Sequence, residues 1–358
     1  MNTSYKLTIL SFNCLAPCYA QPKWYYPENE VKLDKIYRRE RIIKLLTRDY
    51  HNNSKLKLYE QPDIISLQEV TDDTIEIING ITYNREGEYK YFKSVLENDY
   101  YCKFYPHDKT YWESYFSSDP TSPYAYIKNG NALFLKKKSF SEPIWFDKSN
   151  SLSGNHSVYA ETIHLNSGKK LRINNVHFDS DVGGNRLKEL ESLLSFLVFD
   201  NNIIDLIIGD FNASTEQANL KQLLVDKKFT NILKFIQDEL GYNVFEQTHP
   251  FTSQYNGNNV YGPIDHILYR GDKILPDLTI LVSGTKLNIN LKSQRDEIDF
   301  DIFYPPGPDR IHGEPSDTIN GVLDHNLWET SLNEIDRINN NFDYCGSDHF
   351  PIIASFKI

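Results

Sequence analysis

The chain has 358 residues, of which 40% are apolar and 24% charged, an ordinary composition for a protein that buries a large core. Its formal net charge is −11, whereas proteins that coat a nucleic-acid duplex through phosphate contacts are normally basic. Any bound nucleic acid must therefore be held by a local patch or by metal ions. The sparse cysteines show no zinc spacing and exclude a disulfide scaffold, which predicts reduced thiols at Cys14, Cys18, Cys102 and Cys345.

The sequence carries no apolar run long enough to span a membrane. Its first residues contain a single Lys before a short apolar run, which is more typical of a first strand than of a signal peptide. We therefore predict a cytoplasmic protein without a transmembrane segment, and we expect it to be a monomer.

Apolar alternation and helical periodicity are interleaved along the whole chain. Some predicted strands follow one another directly and others are separated by helices, which favours a mixed α/β class over a purely parallel sheet. In chain order we predict a strand at 6–12, a helix at 30–48, a strand at 62–70, a helix at 71–78, a helix at 88–97, strands at 131–137, 157–165 and 169–178, a helix at 185–199, a strand at 203–210, a helix at 215–225, and strands at 263–270 and 350–358.

The segment from 271 to 344 differs from the rest of the chain. It is long, acidic in "RDEIDFD" and Pro-rich in "YPPGPDR". We predict that it forms an inserted lobe or lid.

Polar residues that could carry chemistry cluster where predicted strands end. Each one alone is explained more simply as a turn residue, a helix cap or a buried polar group. Their joint position favours a functional site, because sites in α/β proteins collect at strand ends. The residues are Asn13, Glu69, His177, Asp210, Asn212, Asp265, Asp348 and His349.

This set of residue types limits the chemistry. Several carboxylates with carboxamide oxygens and no cysteine cluster suit a hard ion such as Mg²⁺ or Mn²⁺. Histidines beside carboxylates suit proton handling and oxyanion stabilisation. The chain has no P-loop and no G-x-S-x-G element. Hydrolysis of a phosphoester by metal-activated water is the reaction class that remains.

Seven motifs in order from Phe12 to Pro351 resemble the endonuclease/exonuclease/phosphatase superfamily. The resemblance implies a metal-dependent, DNase-like fold: a two-sheet α/β sandwich of mixed sheets with outer helices. It also implies one catalytic domain over 1–358, because Asn13 and His349 would meet in a single site. The motifs are "SFNCLA", "PDIISLQEV", "NGNALF", "NNVHF", "IIGDFNAS", "IDHILY" and "GSDHFPI".

The resemblance implies Mg²⁺, with Mn²⁺ as a substitute, and a role for each matched residue. Glu69 would be the principal metal ligand, and the further metal ligands would be Asn13, Asp265 and Asp348. Asp265 would alternatively stabilise the leaving side. In "VLDHNLWET", Asp324-His325 lacks the preceding Ser and the following Pro and final strand, so we do not assign it a catalytic role.

The remaining implied roles concern water and phosphate. Asp210 would orient or deprotonate the attacking water, and Asn212 would contact the phosphoryl oxygens. His177 would hydrogen-bond the phosphate as charge develops. His349 would bind the scissile phosphate, with Asp348 fixing its tautomer.

The stretch after the first strand looks like the branch of deadenylases, nocturnin and 2′-phosphodiesterases. That likeness implies substrate binding by Trp24 and Arg38, and by Asn131 where the branch often has Cys. We therefore favour an RNA 3′ exonuclease, with RNA preferred over DNA as the partner. The alternatives are a phosphatase or lipid phosphodiesterase of inositol phosphate or sphingomyelin type, a DNA endonuclease, and a non-catalytic binding module.

Overall fold

The structure is a computed structural model. It describes residues 5–17, 20, 32–47, 61–78, 81–107, 129–148, 157–179, 185–215, 217–232, 264–271, 274–282, 286–290, 318–319, 322–323, 347, 349 and 351–358.

The described elements alternate between strands and helices as the sequence pattern predicts. The helices are α1 (Lys35–Thr47), α2 (Glu88–Leu96), α3 (Arg186–Phe196) and α4 (Ala218–Asp226). The strands are β1 (Lys6–Asn13), β2 (Ile64–Thr71), β3 (Thr74–Ile78), β4 (Ile81–Arg85), β5 (Tyr100–Pro106), β6 (Asn129–Lys136), β7 (Ile144–Lys148), β8 (Ser157–Ile163), β9 (Lys170–His177), β10 (Ile203–Asp210), β11 (Thr230–Asn231), β12 (Asp265–Arg270), β13 (Leu275–Val282), β14 (Lys286–Asn290), β15 (Thr318–Ile319), β16 (Val322–Leu323) and β17 (Ile352–Lys357).

Two mixed sheets form the body of the molecule. The first has seven strands in the order β14-β13-β17-β1-β2-β6-β5, and the second has six in the order β11-β12-β10-β9-β8-β7. Both contain parallel and antiparallel neighbours: β1 is parallel to β2 and antiparallel to β17, and β10 is parallel to β9 and antiparallel to β12. The predicted fold class, a two-sheet sandwich of mixed sheets, is confirmed.

The main apolar core lies between the two sheets, and the helices cover their outer faces. Alternate residues of β1, β2, β6, β9, β10, β12 and β17 supply this inner core, as the two-residue period of a strand requires. Apolar residues of α1 and α2 pack with the outer face of the first sheet. Those of α3 and α4 pack with the outer face of the second.

One predicted helix is wrong. Residues 71–78 do not start a helix: β3 and β4 pair antiparallel, with Thr74 opposite Arg85 and Ile78 opposite Ile81. The sequence of this stretch is rich in β-branched residues and carries Asn79-Gly80, the pair most typical of tight hairpins. Thr71, a candidate helix cap, is instead the last residue of β2.

The predicted lobe at 271–344 also requires a correction of its start. β13 pairs with β17 and β14 pairs with β13, so the first part of this segment extends the seven-stranded sheet. The prediction of a lobe or lid is thus restricted to residues after Asn290. Most of those up to 344 lie outside the described residues.

Candidate active site

Three of the predicted site residues stand in one row across the second sheet. In the strand register, Asp210 at the end of β10 lies opposite His177 on one side and Asp265 on the other. Asp210 also follows Ile204, Leu206 and Ile208 at two-residue steps, and these three belong to the core between the sheets. The row therefore caps that core at one edge of the sandwich.

A glycine allows β10 to lie close to its neighbour at this edge. Gly209 has a φ of 143°, in the region that favours glycine. A Cβ at this position would overlap the Val176 carbonyl oxygen of β9. The "IIGD" sequence thus serves packing at Gly209 and the site at Asp210.

The first sheet contributes Glu69 through an irregularity in β2. The register between β2 and β6 shifts between Leu67 and Val70, and Glu69 within this bulge has a φ of 55°. Bulges of this kind redirect a side chain next to a site. The Glu69 carboxylate accepts hydrogen bonds from the Ala16 amide at 2.8 Å and from Asn13 Nδ2 at 3.1 Å.

Asn13 connects the two sheets within the site. Its Nδ2 donates to Glu69 Oε1 at 3.1 Å and to Asp210 Oδ2 at 3.0 Å. The Leu15 amide can only donate, so the atom that it contacts at 2.9 Å is Asn13 Oδ1. The oxygen is therefore directed away from the carboxylates, and Asn13 bridges Glu69 and Asp210. Its predicted role as a metal ligand stays a prediction.

Asp210 is buried and surrounded by groups that stabilise its charge. Its Oδ1 accepts the Asn212 amide at 2.7 Å, while His177 Nε2 and His349 Nε2 lie 3.7 and 3.8 Å from Oδ2. Burial alone would raise the pKa of Asp210, but His349, His177, the Asn212 amide and Asn13 together lower it. The carboxyl group is thus held in its ionised form.

His349 is paired with Asp265. Its Nδ1 lies 2.9 Å from Asp265 Oδ2, and both side chains are buried. The contact has a topological cause: β12 starts beside Asp210 and brings Asp265 to the imidazole. Asp348, the predicted orienting carboxylate, lies outside the described residues, so its role stays a prediction.

Asn212 lies next to the row with a φ of 49°, and its Nδ2 donates to the Phe178 carbonyl oxygen at 2.8 Å. This bond ties the turn after β10 to the end of β9. Its predicted contact with phosphoryl oxygens stays a prediction.

The three predicted substrate-binding residues lie in different settings. Arg38 is fully buried, and its Nη1 donates to the carbonyl oxygens of Cys14 and Leu15 at 3.0 and 2.5 Å. Its Nη2 lies 3.5 Å from Glu88 Oε1, which is buried as well. Arg38 therefore holds the backbone after β1 rather than presenting its charge at the surface.

The other two predictions stay untested. Asn131 is completely buried in β6, on the same face as the core residues Leu133 and Leu135. Trp24 and the Asp324-His325 pair lie outside the described residues.

A family model places this site in context. The model described as "Endonuclease/Exonuclease/phosphatase family" matches residues 10–349. The chain belongs to this endonuclease/exonuclease/phosphatase family. Members of this family are generally phosphodiesterases or nucleases, which supports an enzyme. Among curated proteins, none matches the sequence.

Solved structures of the endonuclease/exonuclease/phosphatase family share the fold at low sequence identity. The human Nocturnin catalytic domain with bound sulfate is 15% identical, with 98% of this chain and 94% of that chain covered and a TM-score of 0.55. ANGEL2, a 2′,3′-cyclic phosphatase, is 13% identical, with coverage of 99% and 95% and a TM-score of 0.54. A family protein from Leptotrichia buccalis is 11% identical, with coverage of 98% and 100% and a TM-score of 0.52.

The donor set of this family member fits a divalent cation. One ligand atom each from Asp210, Asp265 and His349 lie within 4.8 Å of one another, and the Glu69 carboxylate joins Asp210 through Asn13. Several buried carboxylates in one place are costly unless positive charge offsets them. Oxygen donors of this type suit a hard divalent cation such as Mg²⁺ or Mn²⁺, and Asp210 and Asp265 would hold the ion. Glu69 as a further metal ligand stays a prediction.

Two residues that the sequence analysis did not single out, Gln68 and Asn175, support the site by hydrogen bonds between the sheets. Asn175 Nδ2 donates to the Leu67 and Ala132 carbonyl oxygens at 2.9 and 2.8 Å, and its Oδ1 accepts Gln68 Nε2 at 2.7 Å. These bonds cross between the sheets at the β2 bulge. The only signal in the sequence was an Asn pair inside an apolar strand.

In the part of the chain that the structure describes, no helix has the length and apolar character needed to cross a bilayer.

Proposed function

We propose that this family member is a Mg²⁺-dependent phosphodiesterase that acts on RNA as a 3′ exonuclease. The observation that carries the proposal is the convergence of Glu69 and Asp210 with the Asp265–His349 pair at one edge of the two sheets. Two buried carboxylates joined by Asn13, next to two histidines, combine binding of a cation with binding of an anion.

The roles of the side chains follow from their contacts. Asp210 is ionised and buried, so it can accept the proton of an attacking water. Asp265 accepts a hydrogen bond from His349 Nδ1 and stabilises the protonated ring, whose Nε2 then donates to a phosphoryl oxygen. His177 Nε2 lies 3.7 Å from Asp210 Oδ2 and within reach of the same phosphate.

A divalent cation held by the carboxylates would lower the pKa of a bound water and offset the negative charge of the phosphate. Asn13 keeps Glu69 and Asp210 together for this purpose, because each accepts a hydrogen bond from its Nδ2. Proton transfer and anion binding thus fall to groups on both sheets.

RNA as substrate and the 3′ direction rest on the branch resemblance of the stretch after β1. A second candidate comes from ANGEL2, which is a 2′,3′-cyclic phosphatase with a comparable fold similarity. Hydrolysis of a terminal cyclic phosphodiester would use the same catalytic groups, so this substrate belongs in the test.

The test is a substrate panel with the purified full chain in Mg²⁺. The panel contains 5′-labelled oligo(A), a mixed RNA, the matching DNA, RNA ending in a 2′,3′-cyclic phosphate, an inositol phosphate and sphingomyelin. We expect RNA products that shorten stepwise from the 3′ end, loss of activity in EDTA, and recovery with Mg²⁺ or Mn²⁺. Release of products from the other substrates with RNA intact would overturn the proposal.

The proposal includes a monomeric protein of the cytoplasm. Size-exclusion chromatography with light scattering tests the first part, and fractionation of cells that express the tagged chain tests the second. A dimer mass or recovery with membranes would contradict these parts without affecting the chemistry.

A further inference from the structure

A second polar cluster lies beside the candidate active site, at the edge of the first sheet. In β6, Asn129 is separated by an even number of residues from Leu133 and Leu135, which belong to the core between the sheets. In a strand, such residues share one face. Asn129 therefore faces the second sheet. His107 follows β5, and its amide donates to the Asn129 carbonyl oxygen at 2.8 Å, so the ladder extends to this pair.

His177 faces the same gap from the second sheet. It shares its strand face with Leu171 and Ile173, which belong to the core between the sheets. Its ring centroid lies 5.5 Å from that of His107, with an angle of 49° between the rings. His107 and Asn129 are thus adjacent to the candidate active site, and His177 lies between this polar cluster and the active-site carboxylates.

The carboxamide of Asn129 is buried without a hydrogen-bond partner among the described residues. Asn129 is 1% exposed, and neither its Nδ2 nor its Oδ1 bonds to any residue that the structure describes. His177 Nδ1 is buried in the same unpaired state within that part of the chain. Folded proteins pair nearly all buried polar groups, because leaving one unpaired is costly.

Asn175 is an internal comparison. It is equally buried and faces the same gap, yet it makes three hydrogen bonds to the first sheet. Burial in this layer therefore does not by itself prevent an asparagine from finding partners on the first sheet. A polar ligand at Asn129 would remove the cost.

The chemistry of the cluster favours an oxyanion. A carboxamide Nδ2 offers two N–H donors and an imidazole offers one or two, and phosphate oxygens are the matching acceptors. A 3′ exonuclease removes the last nucleotide, so the phosphate that adjoins the scissile one lies on its 5′ side. We propose that His107 and Asn129 bind this adjoining 5′ phosphate of the RNA, an inference that rests on the proposed function.

The test compares three dinucleotides that differ only in a second phosphate: ApA, pApA and ApAp. The measured quantity is the ratio of kcat/KM for pApA to that for ApA. We expect Asn129→Ala to lower this ratio about tenfold and Asn129→Asp to lower it further, because a carboxylate repels phosphate. The corresponding ratio for ApAp should not change.

Asn174→Ala is the matched control. Asn174 is also completely buried in β9, but its Nδ2 donates to the Leu206 carbonyl oxygen. This variant should leave both ratios unchanged. Melting temperatures show whether each variant is folded, and Asn129→Ala should not be destabilised, because it removes an unpaired buried amide.

An unchanged pApA ratio in Asn129→Ala would overturn the subsite, as would an equal loss for ApA and pApA. If the wild-type chain cleaves none of the three, the proposed function fails, and the subsite is then tested by calorimetry with inorganic phosphate. Binding that is about tenfold weaker in Asn129→Ala than in Asn174→Ala supports the subsite. Equal binding overturns it.

Discussion

His349 Nδ1 lies 2.9 Å from Asp265 Oδ2, although 84 positions separate the two residues in the chain. Asp265 begins β12 in the second sheet, and His349 comes shortly before β17 in the first. The contact therefore joins the two sheets across the site. The carboxylate that orients His349 is therefore far away in the sequence and is not indicated by the residues next to the histidine.

Replacing Asp265 tests how much its negative charge contributes to the role of His349. Asp265→Asn keeps the size of the side chain but removes the negative charge that stabilises a protonated ring. We expect kcat to fall by about 10²–10⁴-fold, as for other residues that orient or assist acid–base groups, with KM changed far less. Asp226→Asn, an exposed site on α4, is the control in the same assay. A kcat within threefold of wild type would contradict the pairing.

The Arg38→Lys variant tests whether Arg38 positions the backbone after β1 or binds the substrate directly. Lysine cannot reach the Cys14 and Leu15 carbonyl oxygens with a forked group, so Arg38→Lys should loosen the backbone that carries the Asn13 and Glu69 contacts. We expect the Mg²⁺ concentration for half-maximal activity to rise by about tenfold, or 1.4 kcal/mol. The KM for RNA should remain near its wild-type value.

The outcome distinguishes the two roles of Arg38. A rise in the KM for RNA at saturating Mg²⁺ would restore direct substrate binding. The control is Arg41→Lys, because Arg41 lies on the same helix, where it stacks over Tyr37 and donates to the Tyr37 carbonyl oxygen. Arg38→Ala should instead lower the free energy of unfolding by about 3–5 kcal/mol, because Glu88 loses its buried partner.

Replacing Asn175 should lower the free energy of unfolding more than replacing its neighbour Asn174. Asn175→Ala removes the side-chain donor to two carbonyl oxygens and the acceptor of one hydrogen bond from Gln68 Nε2. We expect the free energy of unfolding in urea to fall by about 2–4 kcal/mol. Asn174→Ala removes one such bond and should cost about 1 kcal/mol. Equal losses in the two variants would show that the bonds between the sheets contribute little.

The lowered pKa of Asp210 predicts how stability depends on pH. Burial acts to raise the pKa, but His349, His177 and the other hydrogen-bond donors lower it below the ordinary value of 3.8. A carboxyl group with a depressed pKa in the folded state contributes stability above its unfolded value, and loses it as pH falls through the folded value.

Urea unfolding of the metal-free protein in EDTA measures this contribution. The difference in unfolding free energy between wild type and Asp210→Asn should be constant above about pH 5 and should shrink below about pH 4. A difference that grows as the pH falls would mean that the carboxyl group is protonated in the folded protein.

Much of the site could be predicted because it lies where regular elements end. Apolar alternation defines β1, β9, β10 and β12, and the polar residue that ends or starts each one is then visible. What the sequence could not supply are contacts that depend on strand order. The contact of Asp265 with His349 follows from the pairing of β12 with β10.

The orientation of the Glu69 side chain could also not be predicted from the sequence. Nothing in "LQEV" indicates a register shift against β6 or a residue with positive φ. The bulge becomes intelligible only with Asn175 in place, because its side chain bonds to backbone groups on both β2 and β6. Local preference and tertiary contact decide this geometry together.

The position of β17 has a consequence for synthesis of the protein. β17 (Ile352–Lys357) lies between β13 and β1 in the interior of the seven-stranded sheet, and His349 comes just before it. A ribosome that has reached residue 340 has therefore produced neither β17 nor the histidine of the site. The candidate active site should be inert in a nascent chain until both have emerged from the ribosome.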